Sequence, residues 1–172
     1  MSDYIMNNKD TIILVLCWAL AIITLIKVVP REKIRFAQIT FLISQAISWV
    51  FVYLTVFFGL IEYPVREFPL ATNASFSLHY VIFPTFGVLF MLYYPFGKGF
   101  RREFTHYLII SMSLQIFKFI LKNTSSLILY THWNFLIGIL TNLFICFLIR
   151  HFTNWFQKGL DCNEGTDTSH HK

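Results

Sequence analysis

The sequence predicts an all-α integral membrane protein, a helical bundle of about five transmembrane helices with its N-terminus outside and its C-terminus inside. The 172 residues are 56% hydrophobic and 13% charged, against roughly 45–50% and 25% in a soluble globular domain, so there is too little polar surface to coat a water-soluble particle. The charges also cluster, leaving uncharged gaps at 11–26, 36–61, 68–97, 104–117 and 123–149, and about 17–25 mostly apolar residues in a helix cross the hydrocarbon. Runs such as 51–61 and 81–96 lack the recurring charged face that a helix of a soluble bundle shows to water.

Each span has its own signals. The first, 11–29, carries Lys27 near its end, where the stem lies along the helix and delivers the ammonium to the interface; Pro30 then ends the helix. Asp3 and Asp10 offset Lys9 before this run, unlike a cleavable signal peptide. Arg31 to Arg35 form a basic turn into the second span, 36–60, which is long enough to cross with tilt. The third, 76–96, contains Pro84, which removes a backbone hydrogen bond and kinks the helix. The fourth, 104–121, is the weakest because it holds His106, Gln115 and Lys118, the last near enough to the end to snorkel. The fifth, 127–149, gives way after Arg150 to polar sequence. Residues 1–160 therefore read as a single transmembrane domain and 161–172 as a polar tail expected to be disordered.

Lys and Arg set the orientation, because cytoplasmic flanks are enriched in them. With five spans, Lys27, Arg31, Lys33, Arg35, Lys98, Arg101, Arg102, Arg150, Lys158 and Lys172 share one side, and Lys9, Arg66, Lys118 and Lys122 the other. The first side is the inside. The formal net charge of +5 is thus topology, and no nucleic-acid partner is expected. Expected partners are the lipid bilayer and either a second copy of the chain or another membrane protein. Cys17, Cys146 and Cys162 have no C-x-x-C spacing, so neither a disulfide framework nor a zinc site is indicated.

Polar side chains in hydrocarbon turn toward other helices or water-filled cavities. Thr131, Asn134, Gly138, Thr141 and Asn142 share a face of the fifth span, and Ser111, Gln115, Lys118 and Lys122 share one of the fourth. Gln38, Gln45, Ser48 and Thr55 occupy a side of the second. Gln45, Gln115, Asn134 and Asn142 are the candidate intramembrane polar face, read either as inter-helix hydrogen bonds or as a permeation path. In the third span, Phe76, Tyr80, Phe83, Phe90 and Tyr94 align at 3.6 residues per turn as an aromatic stripe.

One connection gathers acid, base and imidazole groups. Glu62 and Arg66 are four residues apart, so a single helical turn would pair them, and His79, about one turn inside the third span, would reach back to Glu62 or Glu67. Glu62, Arg66, Glu67 and His79 form the candidate outer-face site, as a docking surface, a proton-handling pair or a metal site. A metal usually takes three or four ligands, of which at most three are named here, so no metal and no cofactor are expected. His79 with His132 is the one histidine pair whose expected depths suit a haem.

From Glu62-Tyr63-Pro64-Val65-Arg66-Glu67-Phe68-Pro69 through Phe76-Ser77-Leu78-His79-Tyr80 to Phe83-Pro84, the chain resembles uncharacterised small multi-pass membrane proteins of endospore-forming bacteria. In those proteins a similar acidic-proline-arginine loop leads into a span bearing histidine and proline. The motif covers roughly residues 60–100, and the remainder is similar by hydropathy alone. The resemblance implies a bacterial plasma membrane and brings no activity with it. No hydrolase, Walker or Rossmann spacing occurs. The functional expectation is a structural, interaction or accessory membrane component, the alternatives being an oligomeric small-solute or ion transporter or channel and, behind it, an enzyme or metal protein built on the outer loop and His79.

Overall fold

The structure, a computed structural model, describes residues 8–68, 70–131 and 133–167, with side chains as far as 159. In chain order these form α1 (Asn8–Val28), a 3-10 turn (Arg31–Lys33) running into α2 (Ile34–Phe57), a short strand β1 (Ile61–Glu62), α3 (a π-helical turn Leu78–Ile82 continued by an α-helix Phe83–Leu92), α4 (Phe100–Thr124), β2 (Leu129–Tyr130) and α5 (Phe135–Asp167). Four of the helices, α1, α2, α4 and α5, are long and apolar enough to cross a membrane. Their outward side chains include Ile26, 75% exposed, and Leu136, 72% exposed, a placement suited to lipid.

Two boundaries depart from expectation. The expected weak crossing at 104–121 lies inside a helix of 25 residues, and the short helix is instead α3. At about 1.5 Å per residue, Leu78–Leu92 reaches roughly 22 Å, less than the roughly 30 Å hydrocarbon core. The expected fifth span at 127–149 begins only at Phe135, because 127–134 folds across the end of the bundle. There β2 pairs antiparallel with β1, Ile61 opposite Tyr130 and Glu62 opposite Leu129, and Leu127 and Ile128 are buried beneath the pair. At its far end α5 continues helically to Asp167, into the segment expected as a tail; residues 168–172 lie outside the described residues.

The helix ends alternate. Asp10, at the start of α1, accepts the Ser126 N–H at 3.3 Å, and the Thr131 N–H donates to the Leu60 carbonyl at 3.2 Å, so the connections around β1 and β2 share one end of the bundle. An apolar cluster of Val52, Tyr63, Val65, Leu78, Leu121 and Leu127 fills that end. Phe90, Met91, Tyr94, Cys146 and Ile149 fill the other. There Tyr94 donates to Glu103 at 2.7 Å, and Arg150 lies 3.3 Å from the same carboxylate and 4.4 Å from the Tyr94 ring centre.

Local sequence explains the two most specific turns. Gly59 takes φ +63 just past α2; its N–H reaches Val56 and the Leu60 N–H reaches Thr55, the paired bonds of a glycine-terminated helix. In α3, Pro84 has no N–H to give the turn before it. The chain widens there, and the Phe83 N–H bonds the Leu78 carbonyl five residues back. One extra residue rotates the following face by about 100°, which splits the expected aromatic stripe: Tyr80 is 41% exposed whereas Phe90 is fully buried.

The tightest crossing joins α2 to α3 at Gly87, where an added Cβ would overlap Oγ and Cβ of Ser44. Small residues let membrane helices approach closely. Gly87→Ala is therefore expected to destabilise the protein by about 1–3 kcal/mol, read as a lower unfolding midpoint in detergent. Gly159→Ala, where an added Cβ meets nothing within 4 Å, is expected to be neutral or mildly stabilising.

Candidate functional site

The residues of the expected outer-face site are dispersed by the fold. Glu67 turns back onto the start of α3, where its carboxylate accepts the N–H groups of Phe76 at 2.9 Å and Ser77 at 3.0 Å. It thereby satisfies two of the N–H groups that a helix start leaves free and places a negative charge at the positive end of the helix dipole. Arg66 Nη1 donates to Asn73 Oδ1 at 2.9 Å. Glu62 lies exposed on β1. The expected Glu62–Arg66 pair does not form, because 61–62 is extended in a strand and the four-residue spacing pairs side chains only on a helix.

His79 does not reach Glu62 or Glu67 either. The π turn directs it inward, 5% exposed, with Nδ1 2.8 Å from Ser48 Oγ on α2 and Nε2 3.0 Å from the Tyr63 hydroxyl. The Phe83 ring packs edge-on against it, centres 4.6 Å apart. A neutral imidazole donates from one nitrogen and accepts at the other. If Ser48 donates to Nδ1, then Nε2–H donates to the Tyr63 oxygen and the Tyr63 proton is free for another partner. Burial, with the Tyr130 phenol close by, holds the Tyr63 phenol above its ordinary range, so it remains an O–H group.

Of the expected intramembrane face, Gln115 and Asn142 meet. Both are fully buried, and Asn142 Nδ2 lies 3.4 Å from Gln115 Oε1 and 3.4 Å from the Ser111 carbonyl. Gly138 makes this possible, since a Cβ there would overlap the Gln115 amide. Lys118 turns inward rather than snorkelling: Nζ donates to Asn142 Oδ1 at 2.9 Å and lies 4.9 Å from the Phe83 ring centre. Gln45 and Asn134 do not join them. The inward positions of α2 belong to Thr40, Ser44, Ser48 and Val52, a four-residue period that leaves Gln45 on the flank, and Asn134 is exposed where α5 begins.

His79, Lys118 and Asn142 border a cavity of about 60 Å³ between α2, α3, α4 and α5, roofed by β1 and β2, whose wall also includes Ser48, Tyr63, Tyr130 and Trp133 and is otherwise largely apolar. That is several times the roughly 10–15 Å³ that one water needs. Trp133 Nε1 is buried there without a hydrogen-bond partner in the protein, while the Tyr130 phenol faces the Gln115 amide. Tyr63, Tyr130 and Trp133 escape sequence reasoning as site residues. They reach the cavity only because two connections pair across the bundle end, and no local spacing announces that pairing. Among the described residues no three His, Cys, Asp or Glu side chains gather as a metal site. His132, the expected haem partner of His79, lies outside the described residues.

Comparison with protein-family models, with curated proteins and with solved structures finds no match for this chain.

The carboxylates of the outer loop have separable roles. Glu67→Ala is expected to lower stability by about 2 kcal/mol, since it removes a charged acceptor from two backbone donors. Glu62→Ala is expected to stay within about 0.5 kcal/mol. Thermal unfolding of the two variants in detergent checks this contrast.

Proposed function

We propose that the chain is a multi-pass protein of a bacterial plasma membrane that admits a small polar solute into its bundle, acting as a transporter or channel component. The observation that carries this reading is the cavity among α2, α3, α4 and α5, lined by Ser48, Tyr63, Lys118 and Tyr130 and by Trp133, whose indole N–H has no partner in the protein. A buried donor left unpaired costs about 1–3 kcal/mol, and a few convergent polar groups in a mostly apolar hollow are the usual makings of a small-molecule site. The accessory or docking role expected from the outer loop has less support, because Arg66 and Glu67 are engaged in holding that loop. The enzyme or metal reading of Glu62, Glu67 and His79 loses its ground, since both ring nitrogens of His79 already have partners.

For topology we propose five crossings with the β1–β2 end outside. The alternation of helix ends supports this: Lys9, Arg66 and Lys122 belong to the β1–β2 end, and Arg31, Lys33, Lys98, Arg101 and Arg102 to the other. The basic end is then cytoplasmic. The short α3 crosses with help from its flanking segments, a mismatch that membranes absorb at modest cost.

Cys146 lines the cavity and is 4% exposed, which makes it a native reporter. With Cys17→Ala and Cys162→Ala, it is expected to be alkylated in vesicles by iodoacetate, a compact reagent whose charge confines it to water. Thr141→Phe, which fills the cavity, should slow that reaction by about tenfold or more. If only a hydrocarbon-soluble thiol reagent modifies Cys146 in folded protein, the proposed uptake of solute from water is wrong.

A further inference from the structure

We infer that the cavity selects a compact monoanion and that Lys118 supplies the charge that selects it; the inference rests on the solute-binding reading above and names the class of solute. Lys118 projects to the cavity from the last third of α4 and has one hydrogen bond within the protein, to the neutral Asn142, besides its contact with the Phe83 ring. A charged side chain at membrane depth is costly and is normally matched by an opposite charge.

Among the residues whose side chains are described, no carboxylate lies against it. Asp10 is bonded to the Ser126 N–H, Glu67 to the start of α3 and Glu103 to Arg150 and Tyr94, while Glu62 is exposed on β1. Glu32 belongs to the turn before α2, at the far end from the roof. No Asp or Glu lines the cavity. The Trp133 N–H, which has no partner in the protein, adds a donor to the same site, and the Tyr130 phenol lines it. A cation would meet Lys118 with like charge and no compensating carboxylate, and a neutral acceptor would leave the ammonium unmatched. An anion answers both demands, because its oxygens or halide surface accept the donors while its charge offsets the lysine.

Size narrows the class. A cavity of about 60 Å³ suits an ion of formate, acetate, nitrate or chloride dimensions. Asn142 is a positioning residue: by accepting from Lys118 and donating toward Gln115 and Ser111, it fixes the ammonium on the cavity side of α4.

The test uses the full chain in detergent, with sulfate and a bulky sulfonate as the buffer anions. Acetate, nitrate, chloride and neutral acetamide are titrated, with the unfolding midpoint and tryptophan fluorescence as readouts. Acetate is expected to raise the midpoint with at least about tenfold tighter apparent binding than acetamide, its uncharged counterpart of similar shape. Lys118→Gln should remove that preference, Lys118→Arg should retain part of it, and Lys122→Gln should leave it unchanged. A response to nitrate and chloride as well as acetate supports a general compact-anion site, and a response to acetate alone supports a carboxylate site. If acetamide binds as well as acetate, and Lys118→Gln changes neither, the anion inference is overturned while the solute cavity stands. If no probe shifts either readout and Cys146 is also closed to aqueous reagents, both readings fall. The acetate and acetamide comparison on the unmodified protein decides the matter even where a Lys118 variant does not fold.

Discussion

His79 ties three segments together by directional contacts in the interior of the bundle. Its two ring nitrogens meet Ser48 on α2 and Tyr63 in the connection after β1, while its backbone belongs to the widened turn of α3. Hydrophobic attraction between helices is weak in lipid, so directional contacts of this kind carry much of the specificity of packing. The turn that aims the imidazole exists because Pro84 cannot donate to the turn before it. One proline therefore sets the rotation of everything upstream of it on α3, including which aromatic rings face the bundle. Ser48 lies one turn beyond Ser44, and Ser44 lies against Gly87, so the same small-residue edge of α2 permits both the close crossing and the hydrogen bond.

A second constraint orders the polar groups by depth. At the basic end, Glu103, Arg150 and Tyr94 satisfy one another. Toward the other end, Glu67 closes the start of α3 and Asp10 holds the α4–α5 connection. Both ends thus use carboxylates structurally. Among the described residues, the cavity between them is lined by hydroxyl, amide, imidazole, indole and ammonium groups and by no acid. That division leaves the interior positively biased, whereas a bundle that used its polar groups only as helix-to-helix hydrogen bonds would balance donors against acceptors.

Much of the architecture is legible in the sequence because it follows from composition. Charge-free gaps locate the four long helices, and basic residues beside them mark one end of the bundle. The i, i+4 spacing on α4 brings out Ser111 and Gln115, both of which prove fully buried. Legibility fails where long-range pairing or an altered helical period intervenes. Periodicity at 3.6 residues carries the Phe76 to Tyr94 stripe straight through a segment whose period is not 3.6. Glu62 and Arg66 look like a helical pair only until 61–62 is drawn into a strand by residues nearly seventy positions away. Lys118 is near enough to the interface to suggest snorkelling, and only the position of Asn142 on a different helix shows that it turns inward.

The two closures of the cavity differ in construction. The basic end is packed with Phe90, Met91 and Tyr94, nearly all of their surface removed from solvent, and is tied by an ion pair and a charge-assisted hydrogen bond. The opposite roof consists of two-residue strands, tied to each other by their pairing and the Thr131–Leu60 backbone bond and to the helices by the Tyr63–His79 hydrogen bond, by Glu67 on the start of α3 and by Asp10 on the Ser126 N–H. Its apolar side chains, among them Ile61, Val65, Leu127 and Ile128, are buried in the cluster that fills that end. The roof is nevertheless made of connections rather than spans, so its local opening moves no long helix. Water would therefore reach Lys118 from that end through the loss of a few local hydrogen bonds rather than a displacement of the bundle.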